Sequence, residues 1–217
     1  EPIEVGPEFT LKGAEQIGTA FAARLGAPSL QALRALPASE IVAQPFQPQP
    51  NIDGFLLHES PYEAHAHGRV NDVDILVGSN AEEGLYFVSG RSIGASNLRD
   101  ALEEDFPPFV VSLIGPKQPA DDVAARAAFV AFESDMRFGW DMWAWARLHA
   151  DMGRRNTFLY RFSRRSPGEQ GASHGAEMAY VFGHLDLRPL AWAEDDRRLA
   201  DTMASYWTNF ARSGDPN

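Results

Sequence analysis

The chain holds 217 residues, 44% of them hydrophobic, enough to build one large domain or two small ones around a packed core and too many for a disordered chain. Its 19 Lys and Arg against 30 Asp and Glu leave a net charge of −11, which repels nucleic acid and anionic membrane surfaces and leaves neutral or cationic small molecules open as partners. Without Cys there are no disulfides, thiolate metal sites or cysteine nucleophiles, and no apolar run approaches the ~20 residues that cross a bilayer.

The opening Glu1-Pro-Ile-Glu-Val has neither the basic nor the apolar region of a signal peptide and reads as a mature or internal start. From Gly13 to Leu25 the apolar residues fall at helical spacing, with Gly26 and Pro28 as the stop. A short helix around Ser29 to Ala35 precedes Pro37. Gln44 to Gly54, QPFQPQPNIDG, has three prolines and no period, so a surface connection or linker is expected. His65 and His67 form a His-x-His pair with no third ligand at a convincing spacing, and the expectation is a solvated loop rather than a metal site.

Val73-Asp-Ile-Leu-Val77 reads as a buried strand feeding the loop Gly78-Ser-Asn-Ala-Glu-Glu-Gly84, with a helix or turn carrying Leu85, Tyr86 and Phe87 behind it. Glu103-Glu-Asp105 reads as solvated surface. From Asp121 the chain is strongly helical. Phe138, Met142, Trp145, Leu148 and Met152 recur at helical spacing, which predicts one buried stripe and places the Trp140-Asp-Met-Trp-Ala-Trp145 stretch in the core. Asn156 to Phe162 predicts a second strand, followed by a loop to Gly175. The last helix runs from Glu194 to Ser213 with Leu199, Met203, Tyr206 and Phe210 on one face, Gly214 as its stop, and the solvated run Glu194-Asp-Asp196 at its start. Strands separated by long helices predict an α/β architecture.

Open α/β sheets present functional residues in the loops beyond the carboxyl ends of their strands. The first such loop offers Glu82 and Glu83; the second offers His174, 91 residues after Glu83 (174 − 83). A carboxylate that accepts one imidazole N–H fixes the tautomer and leaves the other nitrogen free to take a proton from a serine hydroxyl. Asp135 is a further candidate to reach the His174 loop. Two Gly-x-Ser-x-Gly strings, at Gly90–Gly94 and Gly171–Gly175, imitate a nucleophile elbow, but neither Ser92 nor Ser173 lies between a buried strand and a helix. Ser29, Ser39, Ser60 and Ser79 lie in cap or loop composition. No serine upstream of Glu83 has the surroundings of a nucleophile.

Four ordered blocks resemble the C-terminal part of the type-B carboxylesterases, the cholinesterase-like branch of the α/β-hydrolases: NIDGFLL (51–57), DILVGSNAEEGLYF (74–87), GASHGAEMAYVFG (171–183) and YWTNFARSGDPN (206–217). The segments GAEQIGTAFAARLG and SLQALRALPASEIV resemble that family's middle region. The resemblance implies that residues 1–217 form the C-terminal segment of a single α/β-hydrolase domain, an incomplete sheet flanked by helices. It implies a Ser-Glu-His triad in which Glu83, directly before the glycine, is the acid and His174, in the H-G-x-E pattern with Gly175 and Glu177, is the base. Glu177 is then a buried supporting carboxylate, and Tyr86 and Phe87 line the acyl or leaving-group pocket. The serine and the oxyanion loop are expected from an N-terminal segment or companion chain, so the isolated chain is expected to be inactive. The substrate expected is a small ester, with no cofactor or metal. The alternative is a non-catalytic cholinesterase-like interaction domain, which has no chemical need for both Glu83 and His174.

Overall fold

Thr10 opens the first long helix of the computed structural model, which describes residues 6–46 and 49–217. Its Oγ1 accepts the Gly13 N–H at 3.1 Å, and α1 runs Leu11–Arg24. The chain divides into two compact units, Glu1–Val70 and Asn71–Asn217. In the first, α2 (Leu30–Ala35) is capped by Ser29, α3 (Ala38–Val42) begins after Pro37, and α4 (Pro61–Ala66) is capped by Ser60. Phe21 is buried against Phe46, ring centroids 4.5 Å apart.

The described part of the proline-rich connection is held in place. Ile52 N–H donates to the Phe9 carbonyl at 2.8 Å, and Asp53 Oδ1 accepts three consecutive amides, from Phe55, Leu56 and Leu57. Those amides hold the Asp53 carboxyl below its ordinary range. Residues 47 and 48 of this stretch, and Glu1-Pro-Ile-Glu-Val, lie outside the described residues. His65 and His67 are not in a loop as expected. They occupy the last turn and cap of α4, with Nδ1 within 2.8 and 2.9 Å of the Pro61 and Glu63 carbonyls four residues earlier.

The second unit contains β1 (Ile75–Asn80), α5 (Leu85–Val88), α6 (Leu98–Glu103), α7 (Pro108–Ile114), α8 (Asp122–Ser134), a π-helical turn (Asp135–Gly139), α9 (Trp140–Asp151), β2 (Thr157–Phe162), α10 (Met178–Val181) and α11 (Glu194–Ser213). Among the described residues β1 and β2 form a two-stranded parallel sheet, in register from Ile75 opposite Thr157 to Asn80 opposite Phe162. β1 begins two residues later than expected and continues three beyond Val77, so Ser79 belongs to the strand and not to a loop. Gly78 allows this, because a Cβ there would run into the ring and carbonyl of Tyr160. Buried His149 ties α9 to the start of both strands: Nε2–H donates to the Val73 carbonyl at 3.0 Å, and Nδ1 lies 2.7 Å from Thr157 Oγ1.

Two apolar clusters flank this sheet. One gathers Val88, Leu102, Phe129 and Phe132, and the other Phe162, Tyr180, Leu185 and Met203. The expected buried stripe along α9 forms only in part: Phe138, Met142, Leu148 and Met152 are half-buried, Trp145 is exposed, as are Trp140 and Trp143, and the fully buried positions are Ala146 and His149. The π-helical turn explains the shift, since one inserted residue rotates the helix beyond it by about 100°. Two acidic runs are also less solvated than expected. Asp105 pairs with Arg91 and Arg137. Asp196 is fully buried and accepts from Arg164 Nε at 2.6 Å, Tyr180 Oη at 2.9 Å and Ala193 N at 2.9 Å.

Candidate active site

The loops after β1 and β2 are fastened together residue by residue. Ala81 N–H continues the ladder to the Phe162 carbonyl at 2.8 Å, and Glu82 N–H donates to the Ala172 carbonyl at 3.0 Å. In return Glu82 Oε2 accepts the Ala172 N–H at 2.7 Å. Glu82 thus holds the loop, whereas Glu83 turns inward. Gly84, next along, presses against α8: its N–H donates to Ser134 Oγ at 2.8 Å, and a Cβ would run into the Val130 carbonyl. This close approach is the physical requirement behind the glycine after the acid.

Glu83 is only 4% exposed. Its Oε1 accepts the Asn80 N–H at 2.8 Å and its Oε2 accepts Nδ1–H of His174 at 2.7 Å. The His174 side chain is 56% exposed, and among the described residues Nε2 has no hydrogen-bond partner. A buried carboxylate on Nδ1 selects the tautomer whose Nε2 lone pair points outward, the arrangement a general base needs.

Tyr86 and Phe138 stand beside the imidazole, with ring centroids 6.0 and 5.2 Å from His174. Tyr86 lines the adjacent cavity. Phe87 does not: it packs behind, 6.3 Å from Phe138, with the Arg137 guanidinium 4.5 Å over its ring. Its position results from helix geometry, since adjacent residues in α5 point to different faces. Phe138 was assigned to a core stripe by its spacing, and only the π-helical turn brings it to the histidine. Arg137 is in turn held by fully buried Glu133, whose carboxyl burial pushes above its ordinary range against the pull of Arg137.

Glu177, expected as a buried carboxylate, is half-buried and lines a half-open cavity beside Met178 and Phe182. Its Oε2 accepts from the Asn80 amide at 2.5 Å. That amide also donates to the Ser173 carbonyl at 2.8 Å, so Asn80, unnoticed in the sequence, touches the acid, the histidine loop and Glu177 together. Its own Oδ1 is buried without a partner among the described residues. Burial, reinforced by the carboxylates of Glu177 and Glu83, pushes the Tyr160 hydroxyl up to about 12. Asp135 is exposed and makes no hydrogen bond to the His174 loop; Glu82 makes that connection. Ser92 is exposed in an irregular stretch where its carbonyl accepts the Asn97 amide, and no hydrogen bond among the described residues joins it to His174. No group of three or more His, Asp or Glu among the described residues is placed to hold a metal ion.

The sequence profile of the carboxylesterase family matches residues 7–217. Bile salt-activated lipase of Bos taurus is 32% identical over 193 residues, which cover 77% of this chain and 32% of the lipase. Neuroligin-2 of Homo sapiens is 29% identical over 227 aligned positions, covering 88% of this chain and 27% of the neuroligin. Two solved structures of a PNB esterase superpose with TM-scores of 0.72 and 0.74 at 23% identity, covering 96% of this chain and 47% and 46% of the esterase. The chain therefore spans about a third or less of the length of the curated relatives it matches.

Proposed function

Since the chain belongs to the carboxylesterase family and has the α/β-hydrolase fold, we propose that it supplies the acid and base of a serine ester hydrolase, within the C-terminal segment of one catalytic domain. The 2.7 Å contact between buried Glu83 and His174, with Nε2 turned outward, carries this reading. A serine from an N-terminal segment or companion chain attacks the ester carbonyl while His174 Nε2 takes its proton. Glu83 holds the imidazole and stabilises the imidazolium electrostatically. Backbone N–H groups contributed by that same segment stabilise the oxyanion. His174 then protonates the leaving alcohol, and water, activated by the same nitrogen, releases the acid. None of these steps calls on a metal or organic cofactor.

Two features support the N-terminal segment as partner. Among the described residues β1 has an edge with no strand beside it. A half-open, largely apolar cavity of about 460 Å³ lies between Tyr160, Met178, Phe182 and Trp207.

The test is fluorophosphonate labelling of the complete protein followed by peptide mass spectrometry. The expected label sits on a serine outside these 217 residues and disappears in His174→Ala. Label on Ser92, or undiminished labelling of His174→Ala, overturns the assignment. The neuroligin relatives fit a second reading, a non-catalytic interaction domain of the same fold, which predicts neither label nor ester hydrolysis.

A further inference from the structure

Between α5, α8 and the loop before His174 the surface opens into a cavity of about 500 Å³, lined among others by Tyr86, Ser89, Arg126, Glu169, Gln170 and His174. That volume suits a small-molecule site. Apart from the histidine it has two charged lining groups, and they differ in kind. Glu169 is already engaged, its Oε1 accepting from Arg188 at 2.7 Å. Arg126 has no hydrogen-bond or ion-pair partner among the described residues. By contrast, Arg91 after α5 and Arg137 after α8 are each paired with Asp105 and a glutamate. The cavity that His174 helps to line therefore presents one exposed guanidinium without a partner among the described residues, in a chain of net charge −11.

We propose that Arg126 receives a free carboxylate on the substrate, and that the preferred substrates are monoesters of short dicarboxylic acids. The proposal rests on His174 as the base. The guanidinium fork matches a carboxylate with two parallel N–H···O bonds, which a neutral acyl chain cannot use. Ser89 and Gln170 offer further hydrogen-bonding groups, and the Tyr86 ring borders the path of the intervening methylenes. The chemistry is ordinary ester hydrolysis: water cleaves the acyl C–O bond to give the diacid and the alcohol, with the distal carboxylate unchanged. Global charge and local recognition then act in opposition: the chain's net negative charge disfavours anions at long range, and Arg126 attracts a carboxylate at short range.

The experiment compares monoethyl glutarate with ethyl pentanoate, the same chain length without the second carboxylate, on the complete enzyme. Arg126→Ala lowers the ratio of kcat/KM for the hemiester to that for the neutral ester by tenfold or more, mainly through KM. Arg126→Glu lowers it further, and Arg126→Lys restores part of it. An unchanged ratio across these variants overturns the proposal. Failure of the underlying reading looks different: hydrolysis of both esters survives His174→Ala. Where neither ester is turned over, calorimetric titration of the complete protein with glutarate decides. Binding that Arg126→Ala abolishes supports the site, and absence of binding overturns it.

Discussion

The side-chain amide of Asn80 donates to the Ser173 carbonyl at 2.8 Å, joining the end of β1 to the residue before His174 across 93 positions of sequence. The same amide reaches Glu177, and the backbone of the same residue reaches Glu83. One residue thus sets the spacing between acid and base.

Asn80→Asp tests that positioning role because it keeps the shape and removes both donors. The new carboxyl would face the Ser173 carbonyl and Glu177 Oε2, two acceptors, and the loop would move away. In the complete enzyme kcat falls about 10²-fold, as a displacement near 1 Å is expected to cause, with KM nearly constant. A merely structural role would instead lower the folded fraction and leave kcat per folded molecule intact. Steady-state kinetics alongside circular dichroism separate the two.

Glu83→Gln retains size and removes the charge that holds Nδ1–H of His174. The side chain can then present an N–H to Nδ1 and select the wrong tautomer, so kcat falls by about 10³ to 10⁴ in the complete enzyme. The double variant with His174→Ala is little worse than His174→Ala alone, since the two groups act as a unit. Additive losses in that cycle would separate Glu83 from the histidine's function.

Gly84→Ala isolates a steric requirement. Gly84 has φ −60° and ψ −15°, ordinary helical values that alanine accepts, so any cost comes from the Cβ meeting the Val130 carbonyl of α8. Overpacking against backbone costs about 1–3 kcal/mol, or roughly 5 °C in Tm for a chain of this size. An unchanged Tm measured by calorimetry would mean that α8 yields without cost.

Periodicity and strand composition made β2 and α11 legible, and Gly214 does cap α11 at φ +74°. The loops that carry Glu82, Glu83 and His174 were legible for a different reason, since loops after parallel strands converge at one end of a sheet; the choice of Glu83 over Glu82 came only from the resemblance to the type-B carboxylesterases. Three features escaped for physical reasons. The π-helical turn leaves no mark in the apolar spacing, yet it decides that Phe138 and not a tryptophan meets His174. Asn80 looked like a loop residue because the strand was expected to stop before Gly78, and nothing in sequence reveals that Tyr160 needs that glycine. Asp196 looked solvated because an acidic run at a helix start normally is; its burial depends on Arg164 and Tyr180, 32 and 16 residues away.

Asp196 supplies an acid-side prediction. The hydrogen bond from Arg164, with those from Ala193 and Tyr180, holds its carboxyl below the ordinary range despite burial. A carboxyl depressed in the folded state contributes stability that is present above its unfolded value, about 4, and is lost as pH falls through the folded value. Asp196→Asn should therefore cost about 3 kcal/mol at neutral pH, as breaking a buried pair does. The difference from wild type begins to shrink below about pH 4, where the unfolded chain takes up its proton, and vanishes once pH falls below the depressed folded value. Urea denaturation of the two proteins between neutral and acid pH gives the measurement, and a constant difference would rule out the linkage.

Tyr160 supplies the alkaline counterpart. Burial raises its hydroxyl to about 12, and the carboxylates of Glu177 and Glu83 oppose a third negative charge beside them. In the unfolded chain a tyrosine loses its proton near pH 10, so above that pH the unfolded state is the one that ionises freely. The stability tied to this hydroxyl is complete below about pH 10 and is lost as pH rises through the folded value. Tyr160→Phe has no such proton to lose, and its Tm should decline less steeply than wild type across the alkaline range. Phenolate absorbance offers an independent check: the difference spectrum between wild type and Tyr160→Phe should show a tyrosine that titrates about two units late while the protein remains folded. A Tyr160 that ionises near pH 10 in the folded protein would mean that burial does not keep its hydroxyl from water as the packing implies.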